Sequence, residues 1–197
     1  GMKMSQIVGM IRGPVGTTVR LTILPTGKAP GQTLVVSLVR EAIKVLNTLG
    51  DGKLVPVGAA APDFPFTRLA ESVESQLSQL SGRIVIVDLW SVGCGPCIKA
   101  LDELEVLLAE HPEWGQIEIV GVNVDDVKET AAEFVAEKQA RWSRISIVWA
   151  GPEVLKTYHI SALPTMFVID RDGKVVAADH ELDLPELVGP LIARPAP

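Results

Sequence analysis

The sequence predicts an α/β chain, a mixed β-sheet with helices on both faces, preceded by a small α+β unit. Three observations carry this. Runs of strand length at Ile84–Trp90 and 117–124 are apolar on nearly every residue, as a sheet covered on both faces requires. Between them and after them, apolar residues recur at helical spacing, so that residues 84–192 read βαβαβαββα. Residues 47–58 shift to Gly50, Gly52, Pro56 and Gly58, the composition of a linker, and divide the chain into 1–46 and 59–197.

The elements follow in order. Met4, Val8 and Ile11 lie at i, i+4 and i+7 and predict a short helix that Gly13-Pro14 ends. Val19, Leu21 and Ile23 alternate with Arg20 and Thr22 as in a half-buried strand. Loop chemistry at 25–31 leads to a second alternating strand with Leu34, Val36 and Leu38. Some forty residues are too few to bury a core well by themselves. In the second part, residues 70–80 predict a short helix or irregular cover before the strand Ile84–Trp90. Ile98, Leu101, Leu104 and Leu108 predict a helix to about Glu110, and 117–124 a strand. Asp126 and Glu129 form a capping-box-like start for a helix burying Ala131, Phe134 and Val135. A strand at 145–148, a helix at 153–158, a hairpin of Thr165–Ile169 with 174–177, and a helix at 184–192 complete the order.

Composition bounds the function. The chain of 197 residues is 47% apolar, enough for a substantial core. A net charge of −6 without any basic patch argues against nucleic-acid binding. No apolar stretch reaches the roughly 18 residues of a membrane span, so no direct membrane insertion is expected. Residues 2–16 lack the apolar region and cleavage site of a signal peptide.

The chemistry concentrates in Cys94-Gly95-Pro96-Cys97, which holds both cysteines of the chain directly after a predicted buried strand and opens a predicted helix. Unpaired N–H groups and the positive dipole end at a helix start stabilise an anion, so Cys94 should ionise more readily than an ordinary thiol. The thiolate is the form that attacks disulfides. A structural zinc site needs four Cys or His ligands, and His111, His159 and His180 show no paired ligand spacing; no metal and no cofactor beyond the cysteine pair is expected. Asp88 stands within the apolar strand, where an unpaired carboxylate is costly and its pKa should rise; a strand-end carboxylate facing solvent is the other reading. Pro96 lacks an N–H, suits an early helix position and stiffens the motif.

The run Asp88-Leu89-Trp90-Ser91-Val92-Gly93-Cys94-Gly95-Pro96-Cys97 resembles the thioredoxin active site. With Ala61-Pro62-Asp63-Phe64 upstream and Leu163-Pro164-Thr165-Met166-Phe167-Val168-Ile169-Asp170 downstream, it is similar to extracytoplasmic thioredoxin-like reductases related to cytochrome-c maturation factors and to the thiol-peroxidase superfamily. The resemblance implies a thioredoxin-like domain over 59–197 that reduces protein disulfides outside the cytoplasm, recharged by an unidentified reductant. It implies Cys94 as the exposed nucleophile, Cys97 as the buried resolving thiol, and Asp88 as the acid that handles the second cysteine's proton. Pro164 corresponds to the family's cis-proline, which would set the Leu163 backbone beside Cys94 to pair with an extended substrate segment. Trp90 would pack beside the dithiol and, with Gly93, Leu163 and Pro164, form the substrate-binding surface, although core packing accounts for it equally well. The Gly95-Pro96 pair goes with a reducing site in that family.

Two positions depart from the pattern. Gly93 replaces the usual tryptophan and leaves a barer rim, and Ile98 replaces a basic residue after the second cysteine. Both bear on which substrate is taken. His159 reads as a surface or packing residue, and Trp114, Trp142 and Trp149 as core. The peroxidase signature Pro-x-x-x-Thr/Ser-x-x-Cys does not occur around Cys94, which weakens a peroxidase reading. A non-catalytic interaction module is the alternative to an enzyme, and such a module should survive Cys94→Ser. Residues 11–23, beginning Ile11-Arg12-Gly13-Pro14-Val15-Gly16-Thr17, resemble the second half of a PDZ domain of carboxyl-terminal processing proteases, so that 1–46 reads as a partial PDZ unit whose peptide-receiving strand has no counterpart here.

Overall fold

The computed structural model describes residues 11, 13–14, 16–23, 33–40, 49–138 and 141–194. It divides into two units, Gly1–Val45 and Leu46–Pro197. In the first, β1 (Thr18–Ile23) and β2 (Leu34–Val39) form an antiparallel ladder in the register Thr18↔Val39 to Ile23↔Leu34. Arg40 ties its base: the guanidinium donates to Ile11 O at 2.8 Å and to Thr17 Oγ1 at 2.9 Å. The helix expected over the first dozen residues and the loop at 25–31 lie largely outside the described residues.

The second unit is built on a seven-stranded sheet. Its strands are β3 (Pro65–Arg68), β4 (Val73–Gln76), β5 (Ile84–Trp90), β6 (Ile117–Asn123), β7 (Ser146–Trp149), β8 (Thr165–Ile169) and β9 (Val175–Asp179), in the spatial order β4-β3-β7-β6-β5-β8-β9. β5, β6 and β7 run parallel, joined by the helices α1 (Gly95–Glu110) and α2 (Lys128–Lys138). β3 and β8 flank them antiparallel, followed outward by β4 and β9. Two further helices, α3 (Glu153–Thr157) and α4 (Leu184–Ala193), complete the unit. No described helix is long and apolar enough to cross a membrane.

β5 is buried at all seven positions, and its alternation feeds two cores. Val85, Val87 and Leu89 join Phe64, Tyr158 and Phe167 on one face. Ile86 and Trp90 join Cys97, Leu101 and Leu104 of α1 on the other. α1 buries Cys97, Leu101, Leu104 and Leu108, one stripe at helical spacing.

The order expected for residues 84–192 is the order found, with two differences upstream. Residues 70–80 are neither a helix nor irregular cover throughout: β3 and β4 make a hairpin and Leu77–Leu80 a single 3₁₀ turn. Four-residue strands in which only Phe66 is buried carry too little alternation to be read as strands. Residues 49–58, taken from composition as linker, pack within the second unit. Val55 is in its core, Gly50 N–H donates to Ile160 O at 2.6 Å and Gly58 N–H to Val175 O at 2.8 Å. A Cβ on Gly50 would stand 2.4 Å from the His159 backbone, so glycine marks a close approach here rather than freedom.

Candidate active site

Cys94 is the N-cap of α1 and Cys97 lies in its first turn, with Gly95 and Pro96 between them. The two sulfurs are joined in a disulfide, Cα–Cα 5.3 Å, and Cys97 N–H donates to Cys94 Sγ at 3.2 Å. Burial separates the pair. Cys97 is 0% exposed, whereas Cys94 is half-buried at the edge of the same core and Gly93, Gly95 and Pro96 are exposed around it. An attacking partner can therefore reach Cys94 and not Cys97. The Cys97 N–H of the first turn points at the Cys94 sulfur, where it and the helix dipole favour a negative charge.

Asp88 sits two residues before Trp90, on the face of β5 that α1 covers with Cys97. It is 0% exposed and neither carboxylate oxygen has a hydrogen-bond partner. Burial without a counter-charge pushes its pKa up to about 8, so the carboxyl holds its proton at neutral pH. The solvent-facing reading of Asp88 is thereby excluded. A neutral buried acid with a pKa near the working pH can both give and take a proton.

Trp90 corrects an expectation. It is wholly buried, its ring 6.0 Å from Phe134 and 5.8 Å from Trp142, and it offers no surface to a substrate. Its place is beneath the dithiol loop, as packing. Trp114 and Trp142 are likewise buried. Exposed Gly93 has open space where a side chain would go. Half-buried Ile98 packs on the core under α1.

The Leu163–Pro164 bond is cis. Both residues are half-buried, and Leu163 packs on the same core as Cys94. Pro164 and Pro96 line one groove of about 490 Å³, together with Ala100, Leu104, Met166 and His180, so the proline loop and the dithiol motif border a common opening. His159 is exposed, and its Nδ1 lies 3.0 Å from Asp51 Oδ1. Among the described residues no cluster of three or more His, Cys, Asp or Glu could hold a metal.

Two sets of residues at this end of the sheet went unread in the sequence. Asp125 Oδ2 accepts from Val92 N–H and from Asn123 Nδ2, each at 2.8 Å, while Trp149 Nε1 donates to Asp125 O at 2.8 Å. This carboxylate fixes the loop that leads into Cys94. Asn123, 0% exposed, closes a central parallel strand, and a buried polar residue at such a strand's carboxyl end is the signal that could have found it. The second set is Thr165 and His180, which hold the proline loop.

Residues 57–178 match the AhpC/TSA family. The chain is 31% identical over 126 residues to the thiol-disulfide oxidoreductase ResA of a Bacillus cereus strain, covering 64% of this chain and 70% of that protein. It is 34% identical over 129 residues to ResA of Geobacillus kaustophilus, covering 66% and 72%. Among solved structures, a thiol:disulfide interchange protein from Bacteroides sp. superposes with a TM-score of 0.58 at 25% identity, covering 70% of this chain and 91% of that one. The thioredoxin domain of a Bacteroides vulgatus thiol-disulfide oxidoreductase gives 0.59 at 24% identity, covering 70% and 99%, a likeness of fold.

Proposed function

This chain belongs to the AhpC/TSA family and is a thioredoxin-like thiol–disulfide oxidoreductase, and we propose that within that activity it reduces protein disulfides through Cys94 and Cys97. The observation that carries the reading is the asymmetry of the pair: a reachable Cys94 at a helix start, a sealed Cys97, and an unpaired Asp88 on the same face. In the reduced protein the Cys94 thiolate attacks one sulfur of the substrate disulfide. A Cys94–substrate bond forms, the substrate S–S bond breaks, and one substrate thiolate leaves. Cys97, giving its proton to the ionised form of Asp88, then attacks Cys94 Sγ, which forms the Cys94–Cys97 disulfide and releases the second substrate thiolate. Two electrons pass to the substrate, and an external dithiol donor restores the reduced pair. Leu163 and Pro164 present backbone to the substrate segment, and Gly93 leaves the rim open to it.

The site requires no metal or organic cofactor for these steps. The resemblance to exported reductases supports action outside the cytoplasm, and the Ile11–Thr17 signature supports reading residues 1–46 as a partial PDZ unit. The test is a trapped intermediate. Cys97→Ser incubated with oxidised insulin should accumulate a disulfide between Cys94 and an insulin chain, found by peptide mass mapping, while wild type turns over. Absence of the adduct, or an adduct elsewhere, would contradict the assignment.

A further inference from the structure

We propose that His180 is a positioning residue for substrate docking, acting through the proline loop. The inference rests on the reading that Leu163 and Pro164 receive the substrate backbone. His180 follows β9 directly and reaches back to the start of β8, where its Nδ1 lies 2.8 Å from Pro164 O and 3.2 Å from Thr165 Oγ1. A carbonyl oxygen can only accept, so Nδ1 carries a proton and donates. The Thr165 hydroxyl donates to Ala162 O at 2.8 Å and so is free to accept from the same imidazole N–H. Ala162, Leu163, Pro164 and Thr165 are thus held at both ends. The Thr165 hydroxyl closes the turn, and the imidazole clamps the Pro164 carbonyl from the neighbouring strand.

This clamp is outside the dithiol chemistry, and that decides its effect. Thr165 pairs with Leu89 in β5, so the strand itself is registered without His180. What the imidazole adds is the orientation of the Pro164 peptide group on the wall of the groove that Pro96 also lines. A substrate that pairs through its main chain senses that orientation; a small disulfide that offers only sulfur does not. His180 is itself exposed, so its replacement leaves the buried core intact.

The experiment compares His180→Leu, His180→Asn and His180→Gln, reduced beforehand, in reaction with oxidised insulin and with a small aromatic disulfide. Asn places an amide N–H near the position of Nδ1, whereas the amide of Gln reaches the position of Nε2. His180→Leu and His180→Gln should lose about tenfold in second-order rate toward insulin, the worth of one hydrogen bond, expressed as a higher insulin concentration for half-saturation with little change in the limiting single-turnover rate. His180→Asn should stay within about twofold of wild type on insulin, again on the scale of a hydrogen bond retained. The small disulfide should separate the variants far less than insulin does. Equal loss on both substrates, failure of Asn to rescue, or no loss in Leu and Gln would overturn the proposal. If wild type reduced the small disulfide but not insulin, the protein-substrate reading itself would fail, an outcome distinct from any of these.

Discussion

On one face of the central sheet Tyr158 is fully buried, and its hydroxyl donates to Pro62 O at 2.7 Å. On the other face Asp88 and Trp90 are buried as completely, yet both Asp88 oxygens and Trp90 Nε1 are left without partners; among the described residues these are the buried side-chain polar atoms in that condition. An orphaned buried polar group costs about 1–3 kcal/mol, more when charged. Among the described residues the face behind the sheet is therefore satisfied, and the face under α1 carries a standing cost at the last two positions that β5 turns toward α1 before the cysteine loop. Stability is spent where the thiols are.

Replacing the costly acid should give the largest change. Asp88→Leu should stabilise the protein by on the order of 5 kcal/mol at pH 8, since an apolar residue of similar size removes the buried carboxyl and with it the whole cost of its raised pKa. The sign follows from the titration. The folded pKa of about 8 lies above the ordinary 3.8, so below the ordinary value both states hold the proton and the group costs least. As pH rises toward 8 the unfolded chain ionises first, and wild type loses up to about 1.4 kcal/mol per pH unit. Urea unfolding at pH 4, 6 and 8 should show the gain of Asp88→Leu growing with pH, together with slower insulin reduction.

Asp125→Ala comes next, on the reactive side but with a satisfied group. Two donors, Val92 N–H and Asn123 Nδ2, lose their acceptor, and a loss of about 2 kcal/mol is expected. Because Val92 leads into Cys94, insulin reduction should slow as well. Tyr158→Phe should have the smallest effect, about 1 kcal/mol, from the single bond to Pro62 O. Its burial drives the phenol pKa upward, so this loss should be the same from pH 5 to 9, and reduction of insulin should be unchanged. A Tyr158→Phe variant with altered turnover would break the contrast between the faces.

The sequence exposed the reactive face more clearly than its support. Asp88 was legible because one charge in an all-apolar strand has few explanations, and the cysteine motif because strand, turn and helix agree around it. Trp90 was ambiguous for the opposite reason: a tryptophan fits a buried core and a substrate rim equally well until its neighbours, Phe134 and Trp142, are known. Asn123, Asp125 and His180 act through contacts 2 to 33 residues apart, with no local periodicity to betray them. The β3–β4 hairpin was hidden because its strands are short and mostly exposed.

The central claim is that a neutral, unpaired carboxyl lies buried on the face of the cysteines. The most direct test follows the ¹³Cγ resonance of Asp88 by NMR from pH 3 to 10 in the oxidised protein, using Asp88→Asn to assign it. The account predicts a single midpoint near 8, with the carboxyl protonated at pH 6. A midpoint near the ordinary 3.8 would mean that the group is solvated or paired, and would contradict it.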